Sequence, residues 1–249
     1  MNIIVPIKQV PDLVEELEID SSGKALDTEW LKYKVNEFDD HALEEALLQK
    51  EENGGTVTAI AIDGDDIDKA LYAAAAKGAD RVIKITGLGD NPSNHEAARA
   101  MANAIQGIDY DMIFTGVQAV DDRDGQMAIL MAHYLSLPHV SVVTSVEVSG
   151  GTATVQKEYS GGVIAEFEVQ LPAVMGIQAA SETPRYVPVA RVRRAMRGTD
   201  LEEVSAGDVS VGGSTEVNRM FKPESGQGAE MISGSTEDIA SKIVSLIKG

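Results

Sequence analysis

The sequence predicts an α/β fold built on a mostly parallel sheet, and three observations predict it. Short apolar runs rich in Ile and Val alternate with helix-patterned segments through the first two-thirds of the chain. Those helical segments are long enough to carry the crossover that joins one parallel strand to the next. Residues 110–138 read as strand, polar loop and helix, an arrangement that offers the backbone N–H groups of a helix start to a phosphate.

Each element follows in order. Residues 3–7 are a first strand, and residues 12–34 read as irregular, with a turn at Ser21-Ser22-Gly23. Residues 39–52 read as a helix: Ala42, Leu43, Ala46 and Leu47 form one apolar stripe, Glu44, Glu45 and Lys50 lie off it, and Asn53-Gly54-Gly55 ends it. Residues 56–62 are a second strand. Residues 66–77 are an Ala-rich helix closed by Gly78. A third strand at 81–85, a helix at 93–106 and a fourth strand at 112–115 continue the alternation, and another helix starts near Gln126. The pattern then changes. Residues 140–148, 152–159 and 163–171 read as hairpin strands with Gly150-Gly151 and Gly161-Gly162 at their turns, and 172–177 as one more buried strand. Residues 185–233 are short, polar and Gly-rich, with no long periodic segment. A last amphipathic helix has Ser235 as its N-cap, Asp238 three residues on, and the stripe Ile239, Ile243, Leu246, Ile247. The expected division is an α/β domain over residues 1–184 and an arm over 185–249.

Composition limits the function. The chain has 249 residues, 43% hydrophobic, enough for one large α/β domain with an extension or for two small domains. No apolar run reaches the ~18 residues that span a bilayer, and the opening M-N-I-I-V-P-I-K has no secretory leader pattern, so a cytoplasmic location is expected. Cysteine is absent, which removes disulfides, thiolate catalysis and Cys-ligated metal. The net charge of −19 argues against nucleic-acid binding; it fits plain solubility, and also a basic partner.

The chemical motifs are mostly negative. Gly87-Leu88-Gly89 follows a strand, but Pro92 stands where a dinucleotide loop needs its third glycine. Asp63, Asp65, Asp66 and Asp68 lack the closing Glu of a calcium loop, and Asp122, Asp124 and Gly125 follow Val120 where that loop needs an oxygen. Both acidic clusters sit after strands, where open α/β sheets bind ligands. His41, His95, His133 and His139 have no metal spacing, and no nucleophilic triad is suggested. No metal site and no catalytic acid, base or nucleophile is expected. Arg185, Arg191, Arg193, Arg194 and Arg197 crowd into one stretch of an otherwise acidic chain and read as a docking surface for an acidic partner or for a cofactor's phosphates.

Four stretches together resemble the β subunit of electron-transfer flavoproteins (the FixA group included): I-I-V-P-I-K-Q-V-P-D at the start, V-N-E-F-D-D-H-A-L-E-E-A at 35–46, T-G-V-Q-A-V-D-D-R-D-G-Q at 115–126, and V-Q-K-E-Y-S-G-G-V-I-A-E-F-E-V-Q-L-P-A-V at 155–174, followed by P-R-Y at 184–186. Ser160 replaces the more usual acidic residue. The resemblance implies a Rossmann-like fold of the adenine-nucleotide α-hydrolase type with added β-hairpins and a long C-terminal arm. It implies a heterodimer whose α subunit holds the redox FAD, a structural AMP on this chain, and the arm wrapped around the partner. It places Pro6, Asn36, Ile62, Asp63, Ala119, Asp122, Asp124, Gly125, Gln126 and Met127 at the nucleotide. Met127 stands where AMP-binding members commonly offer threonine. Leu13 and Phe38 match positions that reach the partner's flavin. Tyr186, Val189, Arg191, Arg193 and Arg194 match the loop that docks onto dehydrogenases.

The function this implies is an electron carrier, not an enzyme. Electrons come from a flavin dehydrogenase, such as an acyl-CoA or amine dehydrogenase, and leave for a quinone oxidoreductase or another acceptor. Two alternatives stand beside it. One is a bifurcating β subunit with a second FAD in place of AMP, whose loop resembles G-D-T-A where this chain has Asp122-Arg123-Asp124-Gly125. The other is a stand-alone nucleotide-binding regulator, against which the hairpins and arm speak.

Overall fold

The computed structural model describes residues 1–89, 92–211, 216–224, 226 and 228–248. The chain divides into two compact units, one of Met1–Leu17 with Thr28–Glu216 and one of Glu18–Asp27 with Val217–Gly249.

The first unit follows the alternation of the sequence. Its elements are β1 (Asn2–Pro6), β2 (Gln9–Pro11), β3 (Tyr33–Val35), α1 (Glu37–Asn53), β4 (Thr56–Ile62), α2 (Ile67–Lys77), β5 (Arg81–Thr86), α3 (Asn94–Ala104), β6 (Met112–Gly116), α4 (Met127–Leu135), β7 (His139–Ser149), β8 (Thr152–Tyr159), β9 (Val163–Gln170), β10 (Ala173–Ile177), α5 (Val189–Gly198) and β11 (Leu201–Ser205). The nine-stranded sheet has the order β11-β5-β4-β1-β6-β10-β7-β8-β9. Neighbours from β11 to β7 are parallel, and β8 and β9 add an antiparallel meander. β2 and β3, inside the stretch read as irregular, form a separate antiparallel ribbon.

Strand parity sorts the side chains into two layers. Ile3, Val5, Val57, Ala59, Met112 and Phe114 pack with α1 and α2 on one face. Ile4, Ile60, Ile83, Ile113 and Val174 pack with Ala98 and Met101 of α3 and Ala128, Met131 and Ala132 of α4 on the other. The central strands are buried on both sides, so they read as continuous apolar runs, not as alternation.

Three readings are corrected here. Glu44 and Glu45, placed off the apolar stripe of α1, are buried. Glu44 accepts from the backbone N–H and the guanidinium of Arg185 at 2.9 Å, and Glu45 accepts from the N–H of Ser181 at 2.8 Å. Arg185 also meets Glu51 at 2.6 Å, so it fastens residues 181–185 to α1 and is not part of a free basic surface. The stretch read as structureless after Pro184 contains α5 and β11. Val192 and Ala195 of α5 are half-buried, and the helix packs against α2. β11 pairs in parallel with β5, with Arg81 and Glu202 bridging the two strands at 2.8 Å, so residues 201–205 join the sheet.

In the second unit, residues 18–27 turn back on themselves through an Ile19–Leu26 bridge, and the N–H of Met220 donates to Gly23 at 2.8 Å. Helix α6 (Thr236–Lys248) starts at Ser235, whose hydroxyl donates to Asp238 at 2.7 Å and accepts from the Asp238 N–H at 3.2 Å. These are the cap and the fourth residue the sequence predicts. Ile243, Val244, Leu246 and Ile247 of α6 are exposed.

Candidate functional site

Strand order locates the site. From β1 the chain moves outward through β4 and β5, then returns across β1 to β6 on the other side. The gap between the carboxyl ends of β1 and β6 is therefore the topological switch point, where loops leave in opposite directions and open a crevice. A cleft of about 410 Å³ lies there, lined by Pro6, Ile7, Lys8, Asn36, Asp39, Asn94, Met101, Thr115, Gly116, Gln118, Ala119, Asp122, Gly125, Gln126 and Met127.

Asp39 holds the two strand ends together. One carboxylate oxygen accepts from the N–H of Lys8 at 2.9 Å, the other from the N–H of Gly116 at 3.1 Å. Gly116 has to be glycine: a Cβ there would come within 2.8 Å of the Phe38 carbonyl carbon and would run into the Asp39 carboxylate. Burial pushes the Asp39 carboxyl up to about 7, against the pull of the two backbone N–H groups, the Asn36 side chain and the Lys8 ammonium. Lys8 lies beside it with its ammonium 2.8 Å from Asp121 and 3.2 Å from Asp122. Burial lowers the Lys8 pKa, but the hydrogen bond and charge of Asp121, reinforced by Asp122, outweigh that and raise it overall.

Asn36 precedes α1 and is 1% exposed. Its amide N–H donates to the Gln118 carbonyl at 2.8 Å, which fixes the orientation of the amide. Among the described residues its carbonyl oxygen has no partner, and neither does the hydroxyl of Thr115, also 1% exposed. Unpaired buried polar atoms are uncommon and each costs stability unless something satisfies it. Here two of them line one cleft. On the far wall the loop after β6 turns through Arg123 and Gly125 at φ 57° and 64° and delivers α4, which begins without a side-chain cap. The first-turn N–H groups of α4 thus carry no side-chain acceptor. Asp122 closes the rim, accepting from the N–H of Asp124 at 3.0 Å and from Asn94 at 3.3 Å.

Of the residues expected at the nucleotide, the structure gathers Pro6, Asn36, Ala119, Asp122, Gly125, Gln126 and Met127 in the cleft. Ile62, which ends β4, and Asp63, which follows it, lie outside the lining, as does Asp124, which accepts from Asn94 at 3.3 Å. Lys8, Asp39, Asn94, Met101, Thr115, Gly116 and Gln118 line it as well and were not among the expected residues. Lys8, Asp39 and Thr115 lie inside or beside the quoted motifs, but nothing in a single sequence shows that their side chains converge. Leu13 and Val14 are exposed, as is Trp30, all on the segments that flank the β2–β3 ribbon, and Phe38 is half-buried at the start of α1. Tyr186 and Val189 are 84% and 63% exposed, and Arg191, Arg193 and Arg194 project from α5 beside them. Among the described residues no cluster of acidic or histidine side chains is placed to hold a metal ion, and no helix is long and apolar enough to cross a membrane.

Residues 25–209 match the electron transfer flavoprotein domain. The chain is 33% identical to an electron transfer flavoprotein subunit beta of Methylophilus methylotrophus, over 99% of this chain and 98% of the relative. It is 32% identical to the protein of that name from Clostridium acetobutylicum, over 100% and 98%. It is 29% identical to the caffeyl-CoA reductase-Etf complex subunit CarD of Acetobacterium woodii, again over 100% and 98%. A family model that covers most of the chain, and β subunits that match it over nearly its whole length, lead to one assignment: this chain belongs to the electron transfer flavoprotein family, among its β subunits.

Proposed function

We propose that this chain is the β subunit of a heterodimeric electron-transfer flavoprotein, and that its switch-point cleft holds AMP as a structural nucleotide. One observation carries the second part: Asn36 and Thr115 bury unpaired polar atoms in a cleft that also offers the uncapped start of α4. Helix start and loop N–H groups suit a phosphate. The fixed Asn36 carbonyl suits a donor such as an adenine amino group or a ribose hydroxyl. On this reading the bound nucleotide would be held and not converted. It would fasten the ends of β1 and β6 to α4.

The redox FAD would be carried mainly by the α subunit and supplies the electron chemistry. This chain would provide an apolar wall through Leu13 and Phe38 and a docking surface at Tyr186, Val189 and the arginines of α5, all exposed or half-buried. Electrons would arrive from a flavin dehydrogenase, such as an acyl-CoA or amine dehydrogenase, and pass to a quinone oxidoreductase or another acceptor. The exposed apolar face of α6 supports a partner subunit as its cover.

Denaturing the purified complex and quantifying what it releases tests the proposal. One AMP and one FAD per complex are expected. Two FAD and no AMP would overturn the AMP assignment in favour of a second flavin, and neither nucleotide would overturn the reading of the cleft.

A further inference from the structure

Building on the nucleotide reading of the cleft, we infer that the Thr115 hydroxyl is a phosphate-binding group of this chain, supplying from the end of β6 the hydroxyl that the start of α4 lacks at Met127. Parity sets the direction. Phe114 packs among the residues of α1 and α2, Ile113 among those of α3 and α4, so Thr115 faces the α3–α4 side. Its register partner on β10 is Gly176, where a Cβ would lie 3.3 Å from the Cβ of Ala128, the second residue of α4. Thr115 is therefore next to the first turn of that helix. It is 1% exposed, its hydroxyl has no partner among the described residues, and it lines the same cleft as Gly125, Gln126 and Met127.

A buried hydroxyl with no partner is costly, whereas valine of the same shape would fit this strand end without the penalty. A hydroxyl beside free helix N–H groups makes sense when an oxyanion completes the set, since it donates one more hydrogen bond where the helix dipole already favours negative charge. Asp122 lines the same cleft and would oppose the anion, but its carboxylate is engaged by Lys8. The Lys8 ammonium is in reach of the cleft and offsets that charge.

The test uses Thr115→Val in the full chain, purified with whatever subunit accompanies it and stripped of nucleotide. AMP and adenosine binding are measured by equilibrium dialysis, and unfolding without ligand by thermal melt. Thr115→Val should weaken AMP on the order of ten- to a hundredfold, the range for a hydrogen bond to a charged group. It should leave adenosine within about threefold, and should melt at or above the wild-type temperature without ligand. A second change, Met127→Thr, should restore much of the lost AMP affinity. Unchanged AMP affinity in Thr115→Val, or an equal loss for AMP and adenosine, would overturn the phosphate role while leaving the nucleotide reading in place. A wild-type chain that binds no AMP would overturn both.

Discussion

At the scale of single residues, Asp39 makes a pH signature. Its carboxyl is pushed up to about 7 from the ordinary 3.8. Between those values the folded chain holds a proton that the unfolded chain has released, so stability falls as pH rises. The Asp39 contribution is fully present below about pH 4, is lost as pH climbs towards 7, and is flat above. The rest of this acidic chain also responds to pH, so the comparison has to be with Asp39→Asn, which keeps the shape and does not titrate. Asparagine can accept from only one of the Lys8 and Gly116 N–H groups, so the variant should be less stable, by roughly 1–3 kcal/mol in acid. The gap should narrow between pH 4 and 7. A gap in urea midpoint that does not change with pH would show that Asp39 stays ionised in the fold.

At the scale of elements, α5 is where the docking idea can be tested. Its inner residues Val192 and Ala195 rest on α2, while Val189 and the arginines stay outside. Val189→Ala should therefore leave the fold and the flavin spectrum unchanged. Removing two methylenes' worth of apolar contact, at ~0.8 kcal/mol each, should lower kcat/KM for reduction by the dehydrogenase roughly tenfold. An unchanged rate in stopped flow would remove Val189 from the docking surface. The same helix shows what the sequence could and could not tell. The central strands and their helices were legible because a strand buried on both faces is a run of Ile, Val and Ala, and Ser235 announces its helix by bonding the residue three positions on. Helix α5 was not, because the spacing of Val189, Val192 and Ala195 is drowned by arginines between them. Glu44 was misread because its partner, Arg185, lies far along the chain, and local periodicity treats every carboxylate as outward. In the site, Asn36 and the Gly125–Met127 turn came from motifs. Thr115 and Asp39 did not, because their significance is a missing or bridging hydrogen bond that exists only once β1, β6 and α1 meet.

At the scale of the whole molecule, the chain leaves some large apolar side chains uncovered. The first unit closes a two-layered core around its sheet. The second consists of a short turned segment, residues 217–224 paired to it, and α6 with an exposed row of Ile243, Val244, Leu246 and Ile247. Four large apolar side chains on one helix face are a surface that water penalises and a partner would cover. A chain ended at residue 216 tests what covers it. The α/β unit has its own sheet and both core layers, so the truncated chain should keep its far-UV dichroism in proportion to its length and still unfold cooperatively. Its affinity for the α subunit should fall at least about a hundredfold, the effect of losing one or two well-packed anchors, and the two chains should no longer elute together. Co-elution at wild-type affinity would mean that α6 is not part of the interface in the proposed heterodimer. An α/β unit that fails to fold without residues 217–249 would instead assign the arm to the chain's own stability.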